Sequence, residues 1–338
     1  MMNDDVNQYA SVPEEPVSSH LAVSDMAPGN TVDGFYILQS VSLRTTAAGK
    51  PFLSASVTDR TGSVPVILWD YSGPLTSADD GKVVAVFGRV SEFKGALQIN
   101  LDGIRLAVKE DPVDVSDLVP VAPIDFQKTY QEIQTLVETI SDPDYKAICR
   151  EFLSRHARSL FLIPAAKSVH HSFLHGLLMH TGYMLKIADF LAGLYSEVVD
   201  RSLLIAGTLL HDFGKREEFT FSALGLVADY SMKGQLLGHL VLGAQEVAEI
   251  AKSLNVPEEK SVLLQHLLLS HHGKPEYGAA VVPMCAESEL LSMLDMVDSR
   301  MEIYRESLEQ TPEGTFSNRV FALDNHRVFH HTDFSSQN

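Results

Sequence analysis

The stretch His-Asp-Phe-Gly-Lys, residues 211–215, constrains this chain more than any other. It follows an apolar run, Leu203–Leu210, with helical spacing and no breaker except Gly207. Neighbouring side chains on a helix diverge by about 100°, so an adjacent His and Asp reach one ion only when it sits against the helix end. Gly214 is expected to let the chain turn away, and Lys215 leaves a cation beside the carboxylate. A lone His-Asp pair says little, because such pairs arise by chance on many surfaces. Here it is one station in a series.

Read along the second half, the series is His180, His211, Asp212, His239, His271, His272 and Asp295, each in a helical segment or at its end. The intervals are about thirty residues, one helix plus its connection, which is how a bundle brings one or two ligands from each facing helix to a metal. Imidazole and carboxylate without thiolate suit Mn, Fe, Zn, Co or Ni, and mixed nitrogen and oxygen ligation with water suits hydrolysis. Apolar positions three and four apart predict helices over 126–140 and 145–156, then over 166–195, 200–212, 234–254, 259–271 and 287–308.

The first half reads differently. Gly34–Leu43, Phe52–Thr58, Val64–Trp69, Lys82–Val90 and Ala96–Leu106 are short β-forming runs, with turn residues at 59–63 and at Lys94-Gly95. Five strands with two tight hairpins and one longer connection suit a small Greek-key barrel. The chain therefore divides into a flexible N-terminal tail (1–30), a barrel (31–109), a proline-containing linker (110–124), a helical domain (125–311) and an irregular C-terminal extension (312–338).

Charge and composition narrow the partners. A net charge of −18 excludes a broad basic surface for nucleic acid, but Thr31–Lys109 holds eight Lys and Arg against seven Asp and Glu. Within it Arg89 and Lys94 lie near strand ends and turns, and Phe52, Trp69 and Phe93 offer stacking faces to unpaired bases. The other place for these aromatics is the barrel core. The two cysteines, Cys149 and Cys285, form no metal or disulfide pattern and fit a reducing cytoplasm. No apolar run reaches the length of a membrane span, and the polar, acidic start is not a signal peptide. A homo-oligomer stays open.

Several neighbours of the series carry two readings. His170, His171 and His175, placed on the same helix as His180, contact phosphate, ligate metal, or form a polar stripe. His266 reads as a core histidine, Asp298 as a group orienting a ligand, and Met293 and Met296 as core. Lys215 ends a helix as surface lysines do, or stabilises charge on a phosphoryl group.

The ordered ligands resemble the HD phosphohydrolase superfamily, in which a His, a His-Asp pair and a distant Asp hold a divalent ion. His180 takes the first place, His211 and Asp212 the pair, and Asp295 the last. His239 and His271-His272 match the extra histidines of two-metal members, which implies one or two ions bridged by Asp212. The resemblance favours the phosphoryl role for Lys215, with Asp212 catalytic beside it. The strand order resembles the OB-fold of the tRNA-anticodon type. The fold class expected is thus an α+β multidomain protein, a five-stranded OB barrel followed by an all-α HD bundle.

The whole arrangement, roughly 30 to 330, is similar to the YhaM-type 3'-5' exoribonucleases. The likeness extends to His170-His171-Ser-Phe, Leu-Leu-Gly-His-Leu, Leu-Ser-His-His-Gly-Lys-Pro-Glu-Tyr-Gly and Phe-Ala-Leu-Asp-Asn. It implies a cytoplasmic, manganese-dependent enzyme acting on single-stranded RNA and also on single-stranded DNA. Two alternatives stand beside it. One is an HD-class hydrolase of small nucleotides or cyclic dinucleotides, although Gly-Lys-Pro-Glu-Tyr-Gly after His272 lacks the Gly-Tyr-Pro triplet of the cyclic-dinucleotide enzymes. The other is a non-enzymatic single-strand-binding protein with a structural metal.

Overall fold

A computed structural model describes residues 20–160, 163–164, 173–222 and 224–332. The chain forms two compact units, the first ending at Val121 and the second beginning at Ala122, with the short segment Phe221–Gly225 grouped with the first.

The first unit is a closed barrel of β1 (Thr31–Thr45), β2 (Pro51–Asp59), β3 (Gly62–Trp69), β4 (Val83–Phe93) and β5 (Ala96–Leu106), in the order β1-β2-β3-β5-β4. Neighbours are antiparallel except β3 and β5, which pair in parallel. Alternation sets the inside: Leu53, Ala55 and Val57 of β2 point inward and meet Val32, Tyr36, Leu38, Val66 and Ile99. A register shift between Gln39 and Ser42 bends β1, which pairs with β2 on one side and β4 on the other and so helps close the barrel. The β4–β5 hairpin turns on Lys94 and Gly95, with φ of 52° and 81°, as a tight two-residue turn demands.

Two boundaries read from sequence need correction. Residues 20–30 belong to the barrel rather than to a tail: Met26 lies in its core and the Tyr36 hydroxyl donates to Leu21 O at 2.7 Å. The buried carboxylate of Asp59 holds the segment, accepting from Val23 N at 2.7 Å and lying 3.0 Å from His20 Nε2. These contacts are set by hydrogen bonds, which leave no periodic trace. Residues 1–19 lie outside the described residues. Within the expected linker, a one-turn helix α1 (Val115–Leu118) is capped by Asp114, and Val113, Leu118 and Val119 are buried.

The second unit contains α2 (Phe126–Glu138), α3 (Pro143–Leu160), α4 (Gly176–Leu194), α5 (Arg201–Leu210), α6 (Lys215–Glu218), α7 (Met232–Ser253), α8 (Glu258–Ser270) and α9 (Ala286–Glu309), with two short strands, β6 (Phe219–Phe221) and β7 (Val227–Tyr230), between α6 and α7. α5 is its axis. Every residue from Ser202 to Leu210 is buried, as expected of a helix apolar on all sides, and α3, α4, α8 and α9 pack around it. Asp200 caps its start, accepting from Ser202 N and Leu203 N.

The expected irregular extension also folds. β8 (Phe316–Val320) and β9 (His326–Phe329) form a hairpin whose Leu323 and Val328 bury against Ile303 of α9. Strands of five and four residues are too short for alternation to stand out in the sequence. Residues 333–338 lie outside the described residues. Met293 and Met296, read as core, are about half exposed on α9. Among the described residues no helix is long and apolar enough to cross a membrane.

Candidate metal centre and nucleic-acid face

Five elements of the helical unit bring the ligand series to one point. α4 carries His180, the end of α5 carries His211 and Asp212, α7 carries His239, the end of α8 carries His271 and His272, and α9 carries Asp295. Three overlapping sets have ligand atoms all within 4.8 Å of one another: His180, His211 and Asp295; His211, Asp212 and His271; and His239, His271 and His272. All seven predicted ligands are therefore gathered.

Asp212 stands between two groups of donors. Its Oδ2 lies 3.4 Å from His211 Nε2 and 3.8 Å from His180 Nε2, which is itself 3.3 Å from Asp295 Oδ1. Its Oδ1 lies 3.4 Å from His239 Nε2 and 3.6 Å from His271 Nε2. Lys215 donates to Oδ2 at 2.7 Å.

The ring nitrogens facing away from this point are fixed. His211 Nδ1 donates to Thr208 O at 2.8 Å and His271 Nδ1 to Leu268 O at 2.9 Å. His180 Nδ1 lies 2.7 Å from Asp298 Oδ2, and His239 Nδ1 3.1 Å from Glu218 Oε1. A carbonyl or carboxylate only accepts, so each Nδ1 carries a proton and each ring turns its Nε2 inward.

The protonation states follow from burial and neighbours. Burial opposes the charged form of His180, but Asp295 and Asp298 outweigh it and raise the imidazole to about 9. Burial alone would favour neutral Asp212, yet Lys215 and His211 hold it well below the usual carboxylate range. Burial works against the Lys215 ammonium too, and Asp212 raises it above its ordinary value. His272 is pushed down to about 3 by burial and by His271 and His239 alongside.

A divalent cation fits this donor set. Asp212 Oδ1, His239 Nε2, His271 Nε2 and His272 Nδ1 are buried without a hydrogen-bond partner, and orphaned polar atoms are costly unless something satisfies them. Here they converge, and their chemistry is that of metal ligands.

Two glycines make the convergence geometrically possible. Gly238 (φ 73°, ψ 162°) breaks α7 one residue before His239, a conformation that a side chain would strain. Gly214 is helical (φ −55°, ψ −24°), so its role is not the turn expected of it. A Cβ there would stand 2.0 Å from His239 O. Gly214 lets the backbones of the His-Asp segment and of α7 touch.

Other predicted residues fall elsewhere. His170 and His171 lie outside the described residues. His175 is not on the helix of His180. It precedes α4 in the left-handed region (φ 62°), stacks on Phe126 with ring centroids 4.9 Å apart, and burial pushes it down to about 4. It joins none of the ligand sets. His266 Nε2 accepts from Met284 N at 3.0 Å. The sequence reading missed Glu218, whose carboxylate accepts from both the backbone N–H and the ring of His239. Lys-Arg-Glu-Glu reads as a solvated charge run, and the only signal was its position directly after the His-Asp segment.

In the barrel, the core reading of the aromatics is overturned. Trp69 is 52% exposed and Phe93 59%, and Phe52 is half-buried. Phe52 and Trp69 are cross-strand partners with ring centroids 5.0 Å apart. One row along the same outer face, Ile67 pairs with Asn100 and Asn100 with Arg89. Phe93 and Lys94 sit at the β4–β5 turn, with Lys94 Nζ 5.4 Å from the Phe93 ring centroid.

Comparison with known proteins agrees with this division. Residues 40–107 match the model of the OB-fold nucleic acid binding domain of the tRNA anticodon type, and residues 177–300 match the HD domain. Fold and matches together define an OB-fold protein with an HD domain. The 3'-5' exoribonuclease YhaM of Geobacillus sp. (strain WCH70) is 36% identical over 309 residues, covering 91% of this chain and 94% of its own length. The protein of that name from Oceanobacillus iheyensis is 34% identical over 312 residues, with 90% and 95% covered, and that from Halalkalibacterium halodurans 34% over 308, with 90% and 94%. The chain belongs to the YhaM 3'-5' exoribonuclease family.

Proposed function

We propose that this protein is a metal-dependent 3'-5' exoribonuclease that grips single-stranded RNA on its OB barrel and hydrolyses terminal phosphodiester bonds at the Asp212 centre. The observation that carries the metal reading is the split role of Asp212. One oxygen faces His180, His211 and, through His180, Asp295, while the other faces His239 and His271 beside His272. Two ions held on either side of one carboxylate suit this layout, and manganese suits the nitrogen and oxygen donors. Polarity and the RNA substrate come from the family.

A divalent ion bound there lowers the pKa of water and neutralises phosphate charge. The chain's own groups supply the rest. Asp298, Glu218 and the carbonyls of Thr208 and Leu268 each hold one imidazole by its Nδ1 and turn its Nε2 to the ion, and His180, raised to about 9 beside Asp295 and Asp298, would give up its Nε2 proton on ligation. The protonated Lys215, 2.7 Å from Asp212, offers positive charge to a phosphoryl oxygen. Phe52, Trp69 and Phe93 supply stacking faces, and Arg89 and Lys94 supply phosphate contacts. Stacking of this kind tolerates any base and either sugar, so single-stranded DNA is a second substrate. A cytoplasmic site of action fits the free cysteines.

The test is a time course on 5'-labelled single-stranded RNA with Mn²⁺ and a chelator control. A ladder shortening from the 3' end and stopped by chelator is expected. RNA left intact in the presence of metal, with hydrolysis of free nucleotides instead, would move the chain to the small-nucleotide hydrolases.

A further inference from the structure

The C-terminal hairpin carries an outer face that its own folding does not require. Val328, with Val320 packed beside it, turns inward to Leu323 and Ile303, so the inner face of β8–β9 is apolar. Strand alternation leaves the other face to water, where polar residues are the rule. Instead Phe316 and Phe329 pair directly across the strands with ring centroids 4.9 Å apart. Arg319 and Arg327 pair across the same face, and all four residues are exposed.

Like charges directly opposite one another oppose hairpin formation. In a chain of net charge −18, among the described residues neither arginine has a carboxylate within ion-pair distance. Each donates to a backbone carbonyl: Arg319 Nη1 to Asn325 O at 3.1 Å and Arg327 Nε to Ser317 O at 2.9 Å. The Arg327 guanidinium carbon lies 5.3 Å from the Phe316 ring centroid. Paired rings with adjoining guanidinium forks match the two needs of unpaired nucleic acid, stacking for bases and positive donors for phosphates.

The hairpin is also placed for such a role. It seats on Ile303 of α9, eight residues and about 12 Å of helix beyond Asp295. Arg300, closer still to Asp295 on the same helix, lies 3.6 Å from Asp324 in the hairpin's turn.

We propose that the outer face of β8–β9, built on Phe316, Phe329, Arg319 and Arg327, is a further contact for single-stranded RNA. It rests on the RNA reading above and adds a binding element on the catalytic unit itself. The test compares wild type with Phe316→Ala/Phe329→Ala and with Arg319→Gln/Arg327→Gln, the second pair guarding against a folding defect in the first. Binding of a fluorescent single-stranded RNA of twenty nucleotides is followed by anisotropy in chelator, and hydrolysis of that RNA and of a tetranucleotide with Mn²⁺.

Both variants should weaken binding of the long RNA about tenfold while hydrolysing the tetranucleotide at the wild-type rate. The arginine variant should also flatten the slope of log Kd against log salt by about 1.4, as loss of two phosphate contacts requires. Unchanged affinity and slope in both variants would overturn the proposal while leaving the exonuclease reading intact. A fall in molecular mass by light scattering with RNA binding unchanged would overturn it in favour of self-association. Absence of RNA hydrolysis by the wild type would remove the functional reading itself.

Discussion

Trp69 of the barrel leaves half its surface to solvent, whereas the side chain of Asp212 is almost wholly enclosed. The barrel carries its candidate binding residues on the outside of a core that Leu53, Val57, Val66 and Ile99 complete without them. The helical unit has no such separation. Its candidate ligands are part of its interior, and four of them, His180, His239, His211 and His271, are aimed by partners that are also structural: Asp298, Glu218, Thr208 O and Leu268 O. An exposed platform can lose one ring and keep the others, so its losses should be partial. A buried cluster that shares one carboxylate should fail as a whole.

That contrast orders the expected effects. Asp212→Ala should lower turnover by at least about a thousandfold, since both ligand groups lose their common oxygen donor. Activity within tenfold of wild type would break the account of the buried unit. Gly214→Ala should cost about a hundredfold in kcat, because its Cβ would displace the backbone of His239, and misplacement by about 1 Å carries such a penalty. An unchanged kcat in that variant would show that α7 yields easily. Glu218→Ala should weaken metal affinity about tenfold, read from the Mn²⁺ concentration giving half-maximal rate.

On the barrel side, Trp69→Ala should raise KM for a twenty-nucleotide RNA about tenfold with kcat nearly intact, one base's worth of stacking. Equal losses on a dinucleotide would erase the distinction between the units. The smallest effect concerns the thiols. Burial pushes Cys149 up to about 12, so at pH 8 a thiol reagent should modify the half-buried Cys285 and reach Cys149 only on unfolding.

Legibility followed the same divide between periodic and local information. The barrel's strands were readable because each alternates for several residues and ends in a recognisable turn such as Lys94-Gly95. The ligand series was readable because metal-binding residue types recur one helix apart. What escaped depends on contacts that one position makes with a distant backbone. Glu218 looks like any surface acid until His239 is placed beside it. Gly214 looks like a turn glycine until α7 is seen against it. His175 reads as helical because nothing in its neighbours marks a left-handed residue. Segment 20–30 is fastened by Asp59, which looked like a simple turn residue. The aromatics Phe52 and Trp69 were ambiguous for another reason: an outward ring and an inward ring occupy strands of the same composition.

The most direct measurement counts metal ions per chain, by elemental analysis after equilibration with Mn²⁺ and desalting, in wild type, His180→Ala, His272→Ala and Asp212→Ala. Two sites sharing one carboxylate predict two ions in the wild type, one in each histidine variant and none in Asp212→Ala, with the barrel still folded. Retention of the full wild-type metal content by Asp212→Ala would contradict the shared-carboxylate centre.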